Sequence, residues 1–167
     1  MSEHKIIPAV VLSAHTSGLA VIRALGKENI PVIAVSYEKH DMGIVSRYVK
    51  EVFQAPHPDI DEPGFMSIIK QIFDKYSRCI LIPCDDATLV FLSKHKDLLS
   101  NWFVVSATDA KITELFIEKK YTYELCRKNN IPAPSNIVVD INKGIESYIN
   151  SITYPCLLKP SEGHKYF

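Results

Sequence analysis

The chain has 167 residues, a length that suits one domain or one domain with a small appendage. Apolar residues make up 47% and charged residues 23%, which are ordinary values for a globular protein with a sizeable core. Lys+Arg and Asp+Glu both count 19, so no global basic field draws the chain to nucleic acid or to a membrane surface. No apolar run reaches the length of about 18 residues that indicates a membrane span, and the N-terminus lacks a signal-peptide pattern. We therefore expect a cytoplasmic protein without nucleic-acid or membrane partners.

The cysteine spacing favours free thiols. None of the four cysteines forms a C-x-x-C pair, and three lie in apolar runs or helical patterns. We interpret them as small buried hydrophobic residues in a reducing compartment, rather than as a disulfide or zinc framework. They are Cys79, Cys84, Cys126 and Cys156.

Apolar runs and helical patterns alternate along the first 117 residues. Short apolar runs predict strands, and amphipathic periodicity predicts the intervening helices. This order is typical of a doubly wound α/β fold with a parallel sheet. The predicted strands are 6–12, 32–35, 48–55, 79–82 and 103–105. The predicted helices are 19–28, 64–76, 89–99, with a break that divides it into two pieces, and a short one ending near 116.

Ligands of such sheets bind at the carboxyl ends of the strands. The turn Ser13–Gly18 follows the first strand and precedes a helix, whose N-terminal N–H groups favour anions. It matches neither G-x-G-x-x-G nor a phosphate-binding P-loop. We take Ser17 and Gly18 as candidate substrate-binding residues.

Asp85 and Asp86 follow a buried predicted strand and are the second pair of candidates. Paired carboxylates at this position suit a substrate amine, a metal ion or a ribose hydroxyl. The alternative is that an aspartate caps the following helix, and we favour this role for at least one of the two.

The pattern changes after about residue 117. A helix is predicted over 118–129, a strand over 136–139, a helix over 143–152 and a strand over 155–159. These two strands lack obvious sheet partners in the sequence, so we expect an incomplete α+β domain. Its exposed strand edges would leave it mobile or paired with a second chain.

Three segments of this second region carry a family pattern. They are Glu118-Lys119, Asn130-Ile131-Pro132 and the run from Tyr154 to Pro160, Tyr-Pro-Cys-Leu-Leu-Lys-Pro. They resemble the ATP-grasp superfamily, in which a helix opens with an acid–lysine pair and ends in a glycine-hydrophobic-proline turn. A Tyr-Pro…Lys-Pro strand then follows. Here Asn130 stands in place of the glycine and Glu118 in place of the aspartate.

Segments of the first region look like the pre-ATP-grasp domain of D-aspartate ligase-like and carbamoyl-phosphate-synthase-like members. The resemblance therefore implies a Rossmann-like pre-ATP-grasp domain over 1–117, followed over 118–167 by the N-terminal fragment of an ATP-grasp domain. The segments are Ser17–Ala20, Arg23–Gly26, Asn29–Val35, Ser46–Val49 and Pro83–Asp86.

The resemblance also implies how ATP would be held. The lysines at the positions of Lys119 and Lys159 contact the ATP phosphates, and Ser161 and Gly163 begin a lid loop. The chemistry agrees, because a triphosphate needs fixed cations from separate elements. Lys120 would replace Lys119 if the register differs by one. The Mg²⁺ ligands of the family lie further along the sequence than Phe167.

The implied function is the N-terminal portion of an ATP- and Mg²⁺-dependent carboxylate–amine ligase that acts through an acyl phosphate. Its substrates would be a small carboxylate and an amine or amino acid, and a homodimer is one assembly we expect. This chain alone would be catalytically incompetent, because phosphoryl transfer needs metal ions to neutralise the developing charge.

Two alternatives remain open. The chain could be a noncatalytic small-ligand-binding or oligomerisation module. A dinucleotide-binding Rossmann protein is disfavoured because the glycine fingerprint is missing.

Overall fold

The computed structural model describes residues 6–160. The chain divides into two compact units, Met1–Thr113 and Glu114–Phe167. The division falls within a helix, α5 (Ala110–Ile117), close to the expected domain boundary at residue 117.

The first unit is built on a five-stranded sheet in the order β3-β2-β1-β4-β5. Every strand pair is parallel, as the alternation of strands and helices predicts. The strands are β1 (Ala9–Leu12), β2 (Val32–Ser36), β3 (Val49–Gln54), β4 (Ile80–Pro83) and β5 (Val104–Val105).

Helices cover both faces of this sheet. The side chains of Val10 and Leu12 pack into a large core with α2 (Glu62–Tyr76) and α3 (Asp86–Lys94), and Val11 packs into a smaller core with Ile22 of α1 (Thr16–Lys27). Alternate residues of a strand point to opposite faces, so β1 is buried on both sides. The helices are α1 (Thr16–Lys27), α2 (Glu62–Tyr76), α3 (Asp86–Lys94) and α4 (Lys96–Leu99), in addition to α5.

Some boundaries differ from the predicted ones. β1 begins at Ala9 rather than Ile6, because Pro8 has no N–H to donate to a sheet ladder. α1 begins before the predicted Leu19, at the residue after His15. α2 includes Pro63 in its first turn, where the missing N–H is tolerated. The predicted break in the 89–99 helix is confirmed.

The second unit contains one regular helix, α6 (Lys119–Lys128), within the described residues. Short 3₁₀ segments follow at Ile141–Lys143 and Ile145–Ser151, in place of the predicted α-helix over 143–152. The predicted strands over 136–139 and 155–159 were wrong, because neither range is a strand in the structure. A strand requires a hydrogen-bonded neighbour, and a local apolar pattern does not supply one.

All four cysteines are free. Cys79 is buried, as predicted, whereas Cys156 is exposed, contrary to the prediction. Among the residues described, none of the helices combines the length and apolar character needed to cross a membrane.

Candidate functional site

The sheet has a topological switch point at β1. The chain passes from β1 to β2 on one side and later returns to β4 on the other, so Leu12 pairs with Val35 and with Pro83. The amide of Cys84 donates to the Leu12 carbonyl at 3.0 Å, and the amide of Ala14 donates to the Val35 carbonyl at 3.0 Å. The loops that follow β1 and β4 are therefore neighbours, at the place where open α/β sheets bind ligands.

The loop after β1 turns directly into the first turn of α1. Ser13 has a φ of 73°, and Gly18 packs so closely beneath it that an added Cβ would lie 2.0 Å from the Ser13 carbonyl oxygen. The backbone here therefore requires glycine at position 18. Ser17 is exposed, and His15 occupies the N-cap position without a side-chain hydrogen bond to the helix. The first turn of α1 thus presents N–H groups that its own N-cap side chain does not satisfy.

The loop after β4 behaves differently. Asp85 caps α3: its carboxylate accepts a hydrogen bond from the amide of Thr88 at 2.8 Å, and the two residues form a capping box. The prediction that at least one of the two aspartates is a helix cap is confirmed for Asp85. Asp86 is the first residue of α3 and its side chain is exposed. Of the two carboxylates, Asp85 is therefore the one that caps the helix, and Asp86 is the one that does not.

A buried hydroxyl lies at the same edge of the sheet. Tyr37 follows β2, its ring packs edge-on against His57 with centroids 4.9 Å apart, and its hydroxyl makes no well-formed hydrogen bond with any described residue. Burial, together with the negative charge of Asp85, raises the pKa of Tyr37 well above its usual range. The phenol therefore stays protonated and is a hydrogen-bond donor near the switch point.

Cys84 directly follows β4 at this edge, and its environment does not favour a nucleophile. Burial, and secondarily the charge of Asp85, raises the pKa of the Cys84 thiol to about 11. The thiolate is therefore scarce at neutral pH.

The predicted nucleotide-binding lysines lie in the second unit. Lys119 is the first residue of α6 and is half-buried. Lys120 is engaged locally: its Nζ lies 3.0 Å from the Glu118 carboxylate and 4.4 Å from the centroid of the Tyr121 ring. The hydrogen bond to Glu118 raises the pKa of Lys120. Lys159 is exposed, whereas Ser161 and Gly163 lie outside the described residues.

The resemblance puts the Mg²⁺ ligands of the family beyond Phe167, so no residue of this chain is a candidate ligand. Over residues 6–160, the structure contains no group of three or more His, Cys, Asp or Glu side chains that could hold a metal ion.

Known proteins share sequence similarity or the fold with this chain. The chain is 27% identical to a D-aspartate ligase of Enterococcus faecium, over 72% of this chain and 31% of that protein. The structure resembles an L-amino acid ligase of Bacillus licheniformis, with a TM-score of 0.60 at 14% identity, over 88% of this chain and 42% of that one. No family model matches the sequence.

The fold is also shared with a nucleotide-bound enzyme. N5-carboxyaminoimidazole synthetase of Staphylococcus aureus, solved with ADP, superposes with a TM-score of 0.65 at 13% identity, covering 94% of this chain and 39% of that one. The likenesses to these structures establish the fold.

The match to the D-aspartate ligase agrees with the resemblance to ATP-grasp ligases that the motifs indicate. The chain spans less than half the length of each of these three proteins.

Some of the predicted site residues lie on neighbouring loops in the structure, and one residue of this edge was not predicted. The structure brings together the loops that carry Ser17, Gly18, Asp85 and Asp86. Tyr37 was missed as a site residue. The signal that could have indicated it was an aromatic residue two positions after the predicted strand 32–35.

Proposed function

We propose that this chain is the N-terminal portion of an ATP-dependent carboxylate–amine ligase that acts through an acyl phosphate. In this proposal Met1–Thr113 serves as the pre-ATP-grasp domain and Glu114–Phe167 opens the ATP-grasp domain. The observation that carries the proposal is the 27% identity to a D-aspartate ligase over 72% of this chain. The parallel sheet with its switch point at β1 supports it.

Lys119 and Lys159 are the proposed phosphate-binding pair. Lys119 stands at the position that the resemblance gives to the phosphate-contacting lysine, and Lys120 is the alternative if the register differs by one. Lys119 lies in the first turn of α6, and the dipole of this helix would also favour a negatively charged phosphate bound there. The exposed ammonium group of Lys159 adds a second cation from a separate segment. This donor set fits a polyphosphate.

The residues of the first unit would contribute to the substrate site. The N–H groups in the first turn of α1, at Ser17 and Gly18, suit a carboxylate of the substrate, because the His15 side chain does not cap them. The exposed Asp86 carboxylate suits an amine, and Asp85 contributes by fixing the start of α3.

The proposed reaction transfers the γ-phosphoryl group of ATP to the substrate carboxylate, and an amine then displaces phosphate from the acyl phosphate. Bound Mg²⁺ would supply charge neutralisation for the transfer. The lysines of this chain would hold and orient the phosphates, and the β1–α1 loop would orient the carboxylate. The chain alone is expected to lack ligase turnover.

Calorimetric titration of the chain with ATP, with and without Mg²⁺, tests the proposal. We expect weak binding that Lys159→Ala reduces by about tenfold or more, since a hydrogen bond to a charged group contributes about 1.5–3 kcal/mol. The matched control is Lys143→Ala, which removes an exposed lysine from the same unit. Control and wild type should bind ATP equally.

Two results would contradict the proposal. One is ATP binding that neither Lys119→Ala nor Lys159→Ala weakens. The other is thermal stabilisation by NAD(P) and none by ATP, which would favour a dinucleotide-binding protein. An absence of binding to either nucleotide would favour the noncatalytic small-ligand-binding or oligomerisation module.

A further inference from the structure

The end of α1 and the start of β3 meet at the edge of the sheet opposite the switch point. Tyr48 directly precedes β3, and its ring packs against Gly26 near the end of α1. The contact is so close that a Cβ added at Gly26 would overlap the Cβ and the ring of Tyr48. Because β3 is parallel to its neighbour, this contact lies at the amino ends of the strands, away from the proposed substrate residues.

Three cationic side chains gather around the hydroxyl of Tyr48. The Nη2 of Arg47 donates to this hydroxyl at 2.9 Å, and the guanidinium carbon lies 4.9 Å from the centroid of the same ring. Arg23 and Lys27 are four residues apart on the face of α1 that carries Gly26. All three cations are exposed, and Tyr48 is half-buried between them.

The electrostatics of Tyr48 agrees with this arrangement. The hydrogen bond from Arg47 lowers the pKa of Tyr48 below its ordinary value of 10.0, and the positive charges of Arg47, Lys27 and Arg23 lower it in addition. Burial opposes this shift without cancelling it. Within residues 6–160, none of the three cations forms an ion pair with a carboxylate. The described part of the chain therefore leaves their charge unneutralised.

Folding alone does not explain why these charges meet. The dipole of α1 favours a cation in its last turn, which accounts for Lys27. It does not account for Arg47, which reaches the same place from the loop before β3. Like charges one turn apart on a helix also repel each other, as Arg23 and Lys27 do. An anion bound among the three cations would remove this repulsion.

The donor set fits a phosphate group. Tyr48 holds the Arg47 guanidinium through one hydrogen bond, so its remaining N–H groups are oriented in advance for a ligand. Two guanidinium groups and one ammonium group match the double charge and the several acceptor oxygens of a phosphate dianion better than the single charge of a carboxylate.

We propose that Arg23, Lys27 and Arg47 form a binding site for a phosphate group, free or carried by a small molecule, and that Tyr48 positions Arg47 in it. The site does not depend on the ligase function, because it uses none of the residues proposed to bind ATP or the substrates.

Calorimetric titration of the whole chain with inorganic phosphate at low ionic strength tests the proposal, since salt screens exposed charges. We expect saturable binding that Arg23→Gln and Arg47→Gln each weaken by about tenfold, because each removes a charged hydrogen-bond donor. The matched control is Arg78→Gln, which makes the same change in charge at an exposed arginine of the first unit and should bind like the wild type.

A parallel titration with glycerol 3-phosphate distinguishes the two sources of the phosphate group. Tighter binding than that of inorganic phosphate would identify a phosphomonoester as the ligand. Equal or weaker binding would identify free phosphate.

Tyr48 provides a readout within the site. Tyrosine labelled with ¹³C at Cζ reports the ionisation of each phenol by NMR, and the Tyr48 signal is the one lost in Tyr48→Phe. Saturating phosphate should raise the pKa of Tyr48 towards its ordinary value, because the bound dianion offsets the neighbouring positive charges. Tyr48→Phe keeps the ring against Gly26, so it should unfold thermally like the wild type in the absence of phosphate and yet bind phosphate more weakly.

Three results would overturn the proposal. The first is an absence of saturable binding with both phosphate probes, which would leave these cations to an acidic surface of a polypeptide. The second is binding that Arg78→Gln weakens as much as Arg23→Gln and Arg47→Gln do, which would show a general attraction to positive charge. The third is a pKa of Tyr48 that saturating phosphate does not change, which would place the bound phosphate elsewhere.

Discussion

The carboxylate of Asp85 accepts a hydrogen bond from the backbone amide of Thr88 at 2.8 Å, and the Thr88 hydroxyl lies 2.7 Å from the same oxygen. Thr88 is fully buried. This pair therefore fixes the start of α3 beside the switch point of the sheet, where Asp85 directly follows the Cys84 amide that is bonded to Leu12. Its neighbour Asp86 is exposed and does not cap the helix.

We expect Asp85→Ala to lower the free energy of unfolding by about 1–2 kcal/mol, because it removes the side-chain cap of α3. Asp86→Ala should cost no more than about 0.5 kcal/mol, since an exposed first-turn carboxylate interacts with the helix dipole alone. Urea unfolding of both variants measures the difference. Equal losses would show that Asp85 does not act as the cap.

Gly18→Ala is expected to lower the free energy of unfolding by about 1–3 kcal/mol, the usual cost of overpacking. The added methyl group would lie 2.0 Å from the Ser13 carbonyl oxygen, so α1 or the end of β1 must shift. The control is Ser17→Ala at the exposed preceding residue, for which we expect a change within about 0.5 kcal/mol. Chemical denaturation measures both. A Gly18→Ala protein as stable as the wild type would mean that this close approach does not exist.

The helices and strands that were predicted correctly have a clear pattern of apolar and polar residues in their own sequence. β1 is a continuous apolar run because both of its faces are covered, and the break within 89–99 falls at His95, between α3 and α4. The cap at Asp61 was missed because the following Pro63-Gly64 pair is typical of a loop, yet Asp61 accepts a hydrogen bond from the Gly64 amide at 2.9 Å. Local sequence therefore predicted the elements better than their ends.

Features that depend on distant partners could not be predicted. The burial of the Tyr37 ring depends on His57 and Phe65, which the fold brings from another part of the chain. The reverse happened at 136–139 and 155–159, where β-forming sequence pairs with no strand of residues 6–160 and is irregular. In both cases contacts with distant residues determine the local structure, and the local sequence pattern does not reveal those contacts.

An ion pair at the start of α2 gives a pH dependence. The Glu62 carboxylate lies 2.7 Å from the Nζ of Lys94 and 2.9 Å from the Nε2 of His95. Hydrogen bonding from Lys94, and to a lesser extent from His95, lowers the pKa of Glu62 below its ordinary value of 4.5. Because the folded-state pKa is the lower one, the pair stabilises the fold above pH 4.5, and this stabilisation is lost as the pH falls through the folded-state pKa.

We therefore expect Glu62→Gln to lose less stability than the wild type between about pH 5 and pH 3. Both partners are substantially exposed, so the difference should stay within about 1 kcal/mol. Urea unfolding at a series of pH values, with Glu28→Gln as a control at another exposed carboxylate, measures it. A Glu62→Gln profile parallel to that of the wild type would contradict this assignment.

The two adjacent lysines at the start of α6 allow a sharp test of register in the proposed nucleotide site. Lys120 is already paired with Glu118 and lies against the Tyr121 ring, so its removal should leave ATP binding within about twofold of the wild type. Lys119→Ala should weaken ATP binding by about tenfold or more, because it removes a cation held in the first turn of the helix. Both variants carry the same change in charge, so each controls for the loss of a positive side chain.

Calorimetric titration with ATP and thermal unfolding with and without ATP give independent readings. The opposite result, in which Lys120→Ala loses the nucleotide and Lys119→Ala keeps it, would shift the register by one residue and require the Lys120–Glu118 pair to open when ATP binds.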